Sequence, residues 1–92
     1  MVHYSQHSGG SIQDAIVITG ARTHQESVMA EYDYIKRLCV GQKKDFVIKG
    51  QEELRVGTKY YDVFKINFSD NSEGIIFFDI TEAHDKFVIY PQ

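Results

Sequence analysis

The chain has 92 residues, of which 42% are hydrophobic, with six Tyr, six Phe, ten basic and thirteen acidic residues giving a formal net charge of −3. That size suits one domain with a helix-on-sheet core and leaves no room for a second. No apolar run reaches the length of a membrane span, the charges form no clustered basic face of the kind nucleic acid demands, and the single cysteine, Cys39, excludes an internal disulfide or a multi-cysteine metal site.

Residues 1–11, MVHYSQHSGGS, are polar and carry no periodic apolar pattern, so they are expected to form a mobile tail ahead of a single domain at 12–92. His3 and His7 have a helical metal-ligand spacing, but nothing around them favours a helix, and no metal site is expected. No leader pattern opens the chain, which makes the cytoplasm the expected location.

Ala15 to Gly20, AIVITG, is a short β-branched run of the kind that sits mid-sheet or is buried on both faces. Its Thr19-Gly20-Ala21 ending is similar to the opening strand of short-chain dehydrogenases. Arg22, Thr23, His24 and Gln25 then stand where their phosphate-binding turn needs glycines, and that reading is rejected. Thr23 and Glu26 form a capping box, followed by a helix from about His24 to Val40 with Gly41 as its stop. Val28, Tyr32, Ile35 and Cys39 make its apolar stripe, with Met29 and Leu38 flanking; Glu26, Glu31, Asp33, Lys36 and Arg37 are assigned to the solvent face. Lys36-Arg37 and Lys43-Lys44 read as partners of the helix's negative end.

Asp45 to Arg55, with Phe46-Val47-Ile48 and then Leu54 and Val56, reads as a second strand with a bulge or bend at Gly50 and a polar stretch at Gln51-Glu52-Glu53. Gly57-Thr58 then turns into the most regular stretch, YYDVFKINFSDNSEGIIFFDIT at 60–81, an antiparallel hairpin with one buried face. Phe64, Ile66 and Phe68 match Ile76, Phe78 and Ile80 on the core side, a register that sets Lys65 opposite Asp79 as a surface ion pair. Glu82 to Lys86 reads as a turn or one helical turn. Phe87-Val88-Ile89-Tyr90 is either a final edge strand or an apolar tail.

The predicted fold is therefore α+β: one helix packed across an antiparallel sheet in the order β-α-β-β-β, with a short C-terminal strand as an option. The run from Ile12 to Thr81, with Glu31-Tyr32-x-Tyr34-Ile35 on its helix and Tyr61-Asp62 and Phe78-Asp79-Ile80 on its hairpin, resembles small uncharacterised bacterial domains. These are stand-alone hypothetical proteins of the kind carried on mobile genetic elements, and the topology is loosely similar to cystatin-like folds. In place of the relatives' aromatic–glycine turn after the last strand, this chain has Ala83-His84-Asp85-Lys86. The resemblance rests on packing positions and implies no activity.

The densest group of chemistry-bearing residues is Asp79, Glu82, His84 and Asp85, which matches no metal spacing and has no nucleophile with a positioned base. Glu31 and Asp62 are a second pair that the helix–sheet seam can bring face to face. Two functional expectations follow. The first is a non-catalytic interaction module, self-associating through a sheet edge or through Phe87, Val88, Ile89 and Tyr90, with a homo-oligomer or protein partner and no cofactor. The second is a small-ligand or enzyme domain with a helix–sheet pocket lined by Tyr32, Asp62, Phe64, Asp79 and His84.

Overall fold

The computed structural model describes residues 2–87. Its elements run β1 (His3–Tyr4), β2 (Ile16–Thr19), α1 (His24–Gly41), β3 (Phe46–Val56), β4 (Lys59–Phe68), β5 (Glu73–Asp79) and α2 (Thr81–Phe87). The expected strand, helix and three strands are β2 to β5, and β1 and α2 extend that order at its two ends. Val88, Ile89 and Tyr90, which were assigned to a final strand or interface, lie outside the described residues.

The strands form one sheet in the order β1-β2-β5-β4-β3. β3, β4 and β5 are antiparallel neighbours, as their alternation predicts, whereas β2 lies parallel to β5 with Ile16 opposite Phe78. The connectivity explains the parallel pair: the helical crossover after β2 starts β3 in the same direction, and two hairpin reversals restore that direction at β5. β1 adds antiparallel to β2, with His3 opposite Thr19. The stretch expected to be a tail is thus partly tied down. Tyr4 Oη donates to the carbonyl of Ala30 at 2.7 Å, and the Gly9 carbonyl accepts from Phe77 N at 2.7 Å. Gly9 has φ +77°, and a Cβ there would lie 2.8 Å from Ile16 Cδ1, so no other residue fits without displacement.

α1 starts as its sequence dictates. Thr23 is extended, and its hydroxyl accepts from Glu26 N at 3.0 Å, a cap worth about 1 kcal/mol. The Glu26 carboxylate returns to Arg22 N at 3.3 Å, one residue before the cap. At the other end Lys44 turns away from the helix and pairs with Asp70 at 2.9 Å. The buried line of α1 is Ser27, Ala30, Glu31, Ile35 and Cys39. Glu31 therefore leaves the solvent face assigned to it, because it stands one turn before Ile35 on the row that meets the sheet. Ile35 and Cys39 pack on Ile16, Ile18, Phe64, Ile66, Ile76 and Phe78, with Ile80 at the end of the same core.

The hairpin keeps its predicted core face, but Tyr61, Val63 and Asp79 are buried on the other face as well, and its register changes. Asn67 stands opposite Glu73, Phe64 opposite Ile76 and Asp62 opposite Phe78, so Lys65 faces Ile75 and Asp79 faces Tyr61. The tight turn decides this. Phe68 N donates to the Ser72 carbonyl at 2.9 Å, Ser72 N donates to Asp70 Oδ1 at 3.0 Å, and Asn71 adopts the left-handed region at φ 67°. The strands thus close within a few residues of Phe68, and the lysine nearest Asp79 is Lys59, at 3.9 Å.

β3 carries its bulge one residue before the expected glycine. Ile48 pairs with Ile66 and Gly50 with Lys65, leaving Lys49 as the extra residue. A bulge shifts the two-residue alternation by one. Before it, Phe46 and Ile48 share the helix side of the sheet; after it, Gln51 stands opposite Phe64 and Glu53 opposite Asp62 on that same side.

Candidate functional site

Downstream of the bulge, the helix side of the sheet meets α1 and α2 around a cavity of about 150 Å³. α1 supplies His24, Ser27, Val28 and Glu31 to its wall, and β3 supplies Gln51 and Glu53. Asp62 of β4 forms the floor, and Ile80, Ala83 and His84 close the end. Each polar group is delivered by a local rule already described: Glu31 by helical spacing, Gln51 and Glu53 by the bulge, and Asp62 by its place between Tyr60 and Phe64 on the core row of β4. α2 is held against the seam by Glu82, whose carboxylate accepts from Gly20 N at 3.0 Å and Lys86 Nζ at 3.2 Å. Those two donors hold its carboxyl below the usual range.

Glu31 is 1% exposed and Asp62 8%. No N–H or O–H donor among the described residues reaches Glu31 Oε2. The Asp62 carboxyl lies in hydrogen-bonding contact with Glu31, and two carboxyls bond only through a proton held between them. Burial comes first among the causes that push Glu31 up, to about 10, followed by the hydrogen bond and charge of Asp62 and the charge of Glu53. Burial also raises Asp62, partly offset by the bond from Glu31 and the nearby His24 and His84. At neutral pH the pair thus carries one proton, on Glu31, with Asp62 accepting. An ionised, unpaired carboxylate here would cost several kcal/mol, which is why the proton stays.

His84 is 7% exposed and lies flat on Tyr60, ring centroids 3.4 Å apart at 15°. Its Nε2 stands 3.6 Å from Glu53 and its Nδ1 3.8 Å from Asp85. The imidazole is thereby oriented between the cavity rim and the end of β4.

Of the four ligand residues named from sequence, Asp62 and His84 meet in this cavity. Tyr32 stands at its border, donating to Gln51 Oε1 at 3.2 Å and packing edge-on against Phe64. Asp79 lies on the opposite side of the sheet, across from Tyr61. There its Oδ1 accepts from Thr81 N at 3.0 Å and Thr81 Oγ1 at 2.6 Å, while Tyr60 N donates to Thr81 Oγ1 at 3.0 Å. Asp79 thus fastens the start of α2 to β4. His24, Ser27, Gln51 and Glu53 were not singled out as ligand residues. The signals for them were the four-residue step from Ser27 through Glu31 to Ile35 and the phase change at the bulge.

Other features offer less chemistry. Burial pushes the Cys39 thiol up, away from a reactive thiolate. Among the described residues, no three His, Cys, Asp or Glu side chains converge on a metal position, and no helix is long and apolar enough to cross a membrane. A wider groove of about 750 Å³ runs between Tyr4, Thr23, Met29 and Arg37, but among the described residues it has no buried polar side-chain atom left without a partner. Comparison with known protein families, with curated proteins and with solved structures found no match.

Proposed function

We propose that this chain is a small-ligand-binding domain whose site is the cavity between α1, β3, β4 and α2, with Glu31 and Asp62 as its anchoring groups. The observation that carries this reading is Glu31, a buried carboxyl on the cavity wall in contact with the Asp62 carboxyl, whose Oε2 meets no N–H donor among the described residues. Buried polar groups are nearly always satisfied, so an acceptor left open toward a cavity marks a place where a bound molecule supplies the missing hydrogen bond. With water occupying about 30 Å³ per molecule, the cavity has room for roughly five waters or a ligand of similar size.

Self-association through a sheet edge is the weaker reading. The edges are the two-residue β1 and the long β3, and on β3 the bulge at Lys49 and the charged Glu52, Glu53 and Arg55 interrupt the flat, apolar row that strand addition favours. No catalytic step is assigned: Ser27 lines the cavity, but no hydrogen bond to a base among the described residues marks its hydroxyl as a nucleophile.

A thermal-shift screen of the full chain against small polar compounds tests the proposal. A ligand present at one hundred times its dissociation constant adds about 2.7 kcal/mol, and the expected rise is dose-dependent, lost in Asp62→Asn and retained in Asp79→Asn. A rise that survives in Asp62→Asn and disappears in Asp79→Asn would place the site on the other side of the sheet.

A further inference from the structure

We infer that the ligand is a small organic cation of the amidinium or guanidinium class, gripped by the facing carboxyls of Glu31 and Asp62. This rests on the ligand-binding reading above and adds the chemistry of the occupant. Among the described residues, Glu31, Glu53 and Asp62 bring carboxyls to the cavity and no lysine or arginine lines it. An anion entering it would meet the carboxyls of Asp62 and Glu53, against which only the imidazoles of His24 and His84 stand among the described lining residues. A divalent metal needs several converging oxygen or nitrogen ligands, and no three such side chains converge among the described residues. A planar cation brings its own N–H donors, and its fork matches two carboxylate acceptors in parallel.

The size agrees. At about 150 Å³ the space holds an amidinium or a methylated guanidinium, of roughly four or five non-hydrogen atoms by the water-volume measure. Val28, Ile80 and Ala83 provide apolar walls for a methyl or methylene substituent. The Gln51 amide at the rim is steadied by Tyr32, which donates to its oxygen.

Binding also has a proton balance. The empty pair retains one proton between Glu31 and Asp62; a cation with two N–H groups takes its place, and the proton leaves to solvent. The other titratable groups facing the pair are His24 on α1, Glu53 on β3 and His84 on α2. Where one proton is released on binding, affinity rises about tenfold per pH unit.

The decisive experiment titrates the full chain with acetamidinium, acetamide and acetate, three molecules of nearly one shape that differ in charge and hydrogen bonding, by NMR and calorimetry. Acetamidinium alone is expected to shift the amides around Glu31, Gln51 and Asp62. Its affinity should increase with pH, and its heat should vary with the ionisation enthalpy of the buffer. Glu31→Gln, with an otherwise unchanged spectrum, should bind it at least about tenfold more weakly. Acetamide or acetate bound in the cavity with acetamidinium inert would overturn the cation class while leaving the ligand site standing. No cavity shift from any of the three would overturn both. Acetyl-arginine amide separates two sources of one chemistry: tighter binding than acetamidinium identifies an arginine side chain of a peptide, and weaker binding a free small cation.

Discussion

Replacing Glu31 with glutamine is expected to raise the melting temperature at neutral and mildly alkaline pH and to remove most of the protein's loss of stability between about pH 5 and pH 8. In the folded chain Glu31 keeps its proton far above the usual carboxylate range, because burial and the neighbouring Asp62 and Glu53 penalise its charge. Unfolded, it ionises near its ordinary value of 4.5. Between those limits the native state binds more protons than the unfolded state, so stability falls as pH rises, at a limiting slope of about 1.4 kcal/mol per pH unit. Asp62 shifts in the same direction and adds to the fall.

Glutamine retains a donor for Asp62 and has nothing to ionise, so the variant should show a much shallower profile over this window, with the fall that Asp62 adds still present. The gain over the parent should reach several kcal/mol at its upper end, the limit set by that slope. Asp70 and Glu82 act with the opposite sign: their partners hold them below their ordinary values, so the stability they add is present at neutral pH and lost on acidification. Tyr4 and Cys39, both raised by burial, come into play only above about pH 8.5. Melting curves of parent and variant across pH check the prediction; parallel profiles would remove the buried proton from the account.

Phe64→Ala should be the most damaging single substitution in the core, at about 3–5 kcal/mol. Phe64 is completely buried and makes edge-on contacts with Tyr32 at 5.7 Å and Phe78 at 5.6 Å. It also stands opposite both Gln51 on β3 and Ile76 on β5, so its loss opens a void at the centre of the sheet. With total stabilities usually 5–15 kcal/mol, that cost removes a large part of the margin. The urea midpoint should drop with little change in slope, and a loss below about 1 kcal/mol would mean that the core is not centred on this ring.

The side-chain periodicities carried much of the architecture. Alternation identified Phe64, Ile66, Ile76, Phe78 and Ile80 as core residues, all of them buried, and the Thr23–Glu26 pattern located the start of α1. The register was less legible, because the same two faces result from any even shift and only the turn at Ser69–Ser72 selects one. Neither the parallel β2–β5 pair nor the β1–β2 pair leaves a local mark, since partners so far apart meet through topology alone.

The site was legible in pieces. Asp62 and His84 drew notice as isolated residues, and Glu31 was named only as a residue the seam can bring to Asp62, while its charge assigned it to solvent. Its four-residue step from Ser27 and toward Ile35 was the stronger signal. The Lys49 bulge was expected near its position, but its consequence, the turning of Gln51 and Glu53 toward α1, depends on the pairing partner of each residue.

Carbon-13 NMR titration of the side-chain carboxyls tests the shared proton at the centre of this account. Asp62 and Glu31 should titrate as a coupled pair, with Glu31 still protonated well above pH 7 and the two resonances responding together. Independent titration of both carboxyls near pH 4 would contradict it, and would show that water and counterions reach Glu31 freely.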